Sequence, residues 1–86
     1  MTIDVRLAVT NAQKYLSDFY PNIQKVQLEE VEFDNISQQW LITLSFPDTE
    51  AFPAGLGLLS RKYKLFRIDA QSGEVMAMKI RQIKND

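Results

Sequence analysis

From Val5 onward, apolar residues recur at Val5, Ala8, Ala12, Tyr15 and Phe19, with Val9 and Leu16 flanking. This is the three-then-four spacing that lines one face of an α-helix. The pattern predicts a helix from about Asp4 to Tyr20. Thr2 or Asp4 is placed to cap its first amides, and Pro21 removes a backbone donor while restricting Tyr20, so the helix should end there.

Alternation then replaces the helical period. Val26 and Leu28 share one parity while Val31 and Phe33 share the other, so the apolar phase slips by one residue. A β-bulge at Glu29 and Glu30 restores a single inward face. Asp34 to Gln38 supplies turn residues, after which Trp40, Ile42, Leu44 and Phe46 form the inner row of a second strand. A third strand is predicted from about Arg61 to Ala70 and a fourth from about Glu74 to Ile83, joined by Gln71, Ser72 and Gly73, with Gly73 in the left-handed position. Ala70 then faces Glu74. That register sets Ile68 opposite Met76, Phe66 opposite Met78 and Lys64 opposite Ile80 on one face, and Arg67 with Ala77, Leu65 with Lys79 and Tyr63 with Arg81 on the other.

The expected architecture is α+β, an N-terminal helix packed on a four-stranded antiparallel meander sheet in the order α-β-β-β-β. The expected core sets Val5, Ala12, Leu16 and Phe19 against Trp40, Ile42, Leu44, Phe66 and Ile68, with Phe46, Met76 and Met78 as further candidates. At 86 residues the chain has room for one core and not for two, so residues 1–86 read as a single domain. Apolar residues make up 45% and charged residues 24%, which disfavours disorder and coiled coils.

Composition narrows the chemistry further. The chain has no Cys and no His, so disulfides, thiolate sites and the commonest neutral-pH base are all missing. Glu30, Glu32 and Asp34 share parity and so offer three carboxylates to an oxygen-liganded cation. Packing Val31 and Phe33 inward sends the same three to solvent without any metal. Nothing else supplies a nucleophile or base, so no catalytic residue, metal or cofactor is assigned, and no enzymatic activity is expected. The first residues lack the unbroken apolar run of a secretory signal, and no stretch reaches the ~20 apolar residues a membrane span needs. The expectation is a soluble cytoplasmic protein.

Net charge is −1, but unevenly spread. Residues 1–58 hold three bases against eight acids, net −5, and residues 59–86 hold seven against three, net +4. The two halves either pair across neighbouring strands or serve a polar or anionic partner. Tyr63, Arg67, Lys79 and Arg81 fall on one outer face, a candidate anion-binding face, and the chain's low pI of about 5.3 speaks against nucleic acid.

A helix ending near a proline, then VQLEEVEFDN from Val26, QQWLITLSF from Gln38 and YKLFRIDAQSGEVMAMKIR from Tyr63 together resemble the PepSY or PepSY-like domain family. The closest likeness is FRIDAQSGEV, Phe66 to Val75, where that family shows a strand, an Asp, a small turn, then Gly and an apolar residue. Trp40 falls where the family often places an aromatic. The resemblance covers nearly the whole chain except residues 47–60. It implies a cystatin-like fold and a peptidase-inhibiting or regulatory role.

Residues 47–60 contain Pro47, Pro53, Gly55 and Gly57 together with Phe52, Leu56, Leu58 and Leu59. A link this long in a small domain is either functional or a cap on the core. Two functional classes stay open, a non-enzymatic interaction module with a protein partner or a second copy, and a small-ligand or enzymatic domain with a pocket between helix and sheet. If Phe52, Leu56, Leu58 and Leu59 bind a partner, exchanging Leu56 and Leu58 together for Ser is expected to weaken self-association or partner binding in sedimentation while the circular dichroism spectrum stays folded. Unfolding of the double variant would assign the segment to the core instead.

Overall fold

The computed structural model describes residues 2–47 and 61–81. Helix α1 spans Val5–Phe19, followed by β1 (Gln27–Asp34), β2 (Gln39–Pro47), β3 (Arg61–Asp69) and β4 (Val75–Arg81). The strands form one antiparallel sheet in the order β1-β2-β3-β4, with the helix across one face. No described helix is long and apolar enough to cross a membrane.

Asp4 is the cap of α1, its carboxylate accepting from the Leu7 amide at 2.9 Å. At the other end the Tyr20 amide still reaches the Leu16 carbonyl at 2.9 Å, and Pro21 allows no further turn. Ala8, Ala12 and Leu16, one turn apart, are the buried line of the helix. Two alanines in the first two turns let its backbone lie close to the sheet.

This line is displaced from the expected one. Phe19, assigned to the core from its spacing, is 60% exposed. It stacks on Tyr15 at 4.9 Å between ring centres, and Tyr15 in turn sets an edge against Phe66 at 6.3 Å. Leu16 and Phe66 already fill the centre, so Phe19 is left outside. The remaining core is Ile42, Leu44 and Phe46 from β2 with Phe66 and Ile68 from β3, each such side chain worth about 1.5–3 kcal/mol when fully buried.

The bulge in β1 falls where the change of phase requires it. Leu28 pairs with Leu44 and Glu30 with Thr43, leaving Glu29 as the extra residue. A second bulge lies in β4, where the alternation of side chains carries no sign of one. Phe66 does face Met78 and Lys64 does face Ile80, but Ile68 pairs with Val75 and not with Met76. The cause is the hairpin loop, which closes one residue earlier than its Gly suggests. The Asp69 amide donates to the Glu74 carbonyl at 2.9 Å, so Ala70 lies in the loop and does not oppose Glu74. Ala70 is held there by two backbone hydrogen bonds, its amide to Gln38 at 3.0 Å and its carbonyl from Ile3 at 2.6 Å. Met76 is the residue left over; it is 55% exposed and is no part of the core.

Gly73 sits at φ +77°, buried against the helix, and Asn11 Nδ2 donates to its carbonyl at 2.9 Å. A Cβ there would lie 3.0 Å from Asn11 Nδ2 as well as forcing a left-handed backbone. Gly73→Ala is therefore expected to lower unfolding free energy by about 1–2 kcal/mol in urea titrations. Combined with Asn11→Ala it should cost less than the two single changes summed, because both remove the same contact.

Candidate functional site

One helix cannot cover four strands, and α1 packs chiefly on β2, then on β3 and β4. The inner face of β1 is consequently left beside an open groove of about 550 Å³ lined by Val5, Arg6, Val9, Leu28, Val31 and Trp40. Leu28 is 46% exposed, and β1 buries no residue fully. Trp40 forms the end of the groove and is held rigidly. Its indole Nε1 donates to the Ile3 carbonyl at 3.1 Å, and its ring meets Phe33 edge-on at 4.9 Å. Arg6 is the single charged side chain of the lining, so the groove is an apolar surface and lacks the convergent polar groups that orient a small ligand.

The opposite face of the sheet is organised by charge. Carboxylates on β1 meet arginines from β3 and β4 across polar side chains of β2. Ser45, fully buried, donates to Glu29 Oε2 at 2.6 Å and accepts from Arg61 Nε at 2.9 Å. Thr43, also buried, accepts from Arg81 at 2.7 Å, and Arg81 forms an ion pair with Glu30. Arg67 reaches Gln39 Oε1 at 3.4 Å and Asp34 at 3.9 Å. Arg61 also donates to the Lys25 carbonyl at 2.8 Å, which fastens the chain just before β1.

The candidate anion face has Tyr63 paired to Arg81 in the ladder, with Arg67 and Lys79 on the same side. Two of its three cations are already engaged by carboxylates of the same chain. Lys79 is exposed, and its side chain has no hydrogen bond or ion pair among the described residues. Of the three β1 carboxylates considered for a metal, Glu30 is bound to Arg81 and Asp34 to the amides of Ile36 and Ser37, while Glu32 points to solvent without a partner among the described residues. Phe52, Leu56, Leu58 and Leu59 lie outside the described residues.

Val5 and Trp40, expected in the core, do pack against it while also lining the groove, which lies between helix and sheet where the small-ligand alternative sets its pocket. Its signal is the count of elements among the described residues, four strands of apolar inner row against one helix. Arg61 was missed, and only its distance partners, Ser45 and Lys25, reveal its role.

Both hairpins turn on one chemistry. Asp34 accepts from Ile36 and Ser37, and Asp69 accepts from Gln71 and from the Ser72 hydroxyl; each loop ends in a left-handed residue, Gln38 at φ 55° and Gly73 at φ 77°. These bonds hold both carboxyls below the usual range, through Ser37 and then Ile36 at Asp34, and through Ser72 and then Gln71 at Asp69. No family model matches the chain, and neither the curated proteins nor the solved structures include a significant match.

A carboxyl depressed in the folded state adds stability above its unfolded pKa and loses it as pH falls through the lower, folded value. Urea midpoints should therefore hold into the ordinary carboxylate range and drop below it. Asp34→Asn and Asp69→Asn should each lower the midpoint at neutral pH, with the gap to the parent protein closing on the acid side. A gap that stays constant with pH would mean the ionised form contributes nothing.

Proposed function

We propose that this domain is a non-enzymatic interaction module that receives an extended segment of a protein partner along the β1 edge. The observation that carries the reading is the state of β1: among the described residues an edge strand with one neighbour, no fully buried residue, carboxylates on one face and an apolar groove on the other. An added strand would satisfy the free backbone groups of that edge, with its alternate side chains divided between the two faces. The chemistry it should carry follows from the host. Apolar residues belong beside Leu28, Val31 and Phe33, and basic ones beside Glu30, Glu32 and Asp34.

A regulatory or inhibitory role toward a peptidase is supported by the resemblance of the Phe66 to Val75 stretch to PepSY domains, and a cytoplasmic setting belongs to the same proposal. The small-ligand alternative has the groove volume in its favour and the near absence of polar lining groups against it.

Titration with a short extended peptide of alternating apolar and basic residues, followed by amide chemical shifts, tests the docking edge. Shifts should concentrate on Leu28 to Asp34 and on Val5, Val9 and Trp40. Replacing the basic residues of the peptide by acidic ones should weaken binding by roughly tenfold, about 1.4 kcal/mol. Absence of shifts on β1, or indifference to the charge reversal, would exclude this edge.

A further inference from the structure

The segment that best fits the β1 edge is present in the molecule itself. We infer that the β1 edge of one copy takes the β4 edge of a second copy, so that the sheet continues head to tail. The inference rests on the strand-docking reading above and names its partner.

Three features of the two edges are complementary. The first is direction: three antiparallel steps separate β1 from β4, so a second copy laid in the same orientation beside β4 presents its β1 antiparallel to it, with both apolar faces on the same side. The second is length. Bulges interrupt both edges, at Glu29 in β1 and at Met76 in β4, leaving uninterrupted runs of five residues each, Glu30–Asp34 and Ala77–Arg81. Bulges normally blunt an edge against pairing, and here they confine it to one matching window. Aligned antiparallel, the runs set Glu32 opposite Lys79 on the polar face, and Val31 opposite Ile80 and Phe33 opposite Met78 on the apolar face.

The third is charge. Glu32 and Lys79 are the outward charges at the centres of these runs, and neither has a partner among the described residues. Ile80 opposite Val31 is 77% exposed in the isolated chain. Symmetric alternatives fail on the same ground: β1 against β1 sets carboxylate rows side by side, and β4 against β4 does so with Lys79 and Arg81. Like charges directly opposite are destabilising. Arg81 remains with its own Glu30 and Thr43, so the intermolecular ion pair is that of Glu32 with Lys79. A heterologous contact of this kind gives rings or open chains and no two-fold dimer. Five paired residues make a small interface and a transient one.

Sedimentation velocity over concentrations up to about 1 mM reads the association. Glu32→Lys and Lys79→Glu should each weaken it roughly tenfold, and the double variant in one chain should restore it. Mixing the two single variants should likewise restore association, because both contacts between unlike chains pair opposite charges whereas each contact between like chains pairs the same charge. The chain has no cysteine, so single Val31→Cys and Ile80→Cys chains can be mixed and oxidised, and the mixed disulfide should exceed the statistical share. A strict monomer that still binds the apolar–basic peptide would overturn this inference and leave the docking reading standing. A monomer that binds neither would overturn both, and predominance of the symmetric Val31→Cys disulfide would replace this geometry by a two-fold one.

Discussion

A helix is about 10 Å across, whereas four strands spaced about 4.8 Å apart need nearly twice that width of cover. The described residues set one helix on the sheet, and most of their other features are consequences of that mismatch. Central strands are sealed: Ile42, Leu44, Phe66 and Ile68 are fully buried beneath Ala8, Ala12 and Leu16. On either flank the inner face is left open, at Leu28 and Val31 on β1 and at Ile80 on β4. The groove beside β1 and the exposed apolar row of β4 are the two sides of the same shortfall.

Where the helix lies is settled by polar contacts at one end of the sheet. The residue just before the cap, Ile3, donates to Ala70 and accepts from the Trp40 indole, and Asn11 reaches across to Gly73. Each bond joins the helical segment to a loop or strand end far away in sequence. At the opposite end, Tyr20 lies near Phe46 with the Lys64 ammonium 5.6 Å from its ring centre, a cation close to the negative end of the helix. Lys64 therefore belongs on the inner face although its neighbours in that row are apolar.

The wet face is held by a different means. Acids concentrated in the first half of the chain and bases in the second meet over β2, where buried Ser45 and Thr43 bridge them. Exposed ion pairs contribute little each, and their role here is to fix which strand lies beside which. The pairing uses up Arg61, Arg67 and Arg81 and leaves Glu32 and Lys79 at opposite edges.

Local signals determined a large share of this protein. The ends of α1 follow from Asp4 and Pro21, the β1 bulge from the slipped parity between Leu28 and Val31, and the left-handed turn residue from Gly73; each depends on interactions within a few residues, which the order of side chains encodes directly. Tertiary structure alone decided the rest. The core side of the helix runs along Ala8, Ala12 and Leu16 and excludes Phe19, because volume at the centre is already taken by Phe66. Met76 is bulged outward because Ala70 is captured by Gln38 and Ile3, partners more than thirty residues away that no alternation pattern reports. The open face of β1 arises the same way: Leu28 and Val31 have the spacing of core residues, and among the described residues one helix against four strands leaves them at the surface.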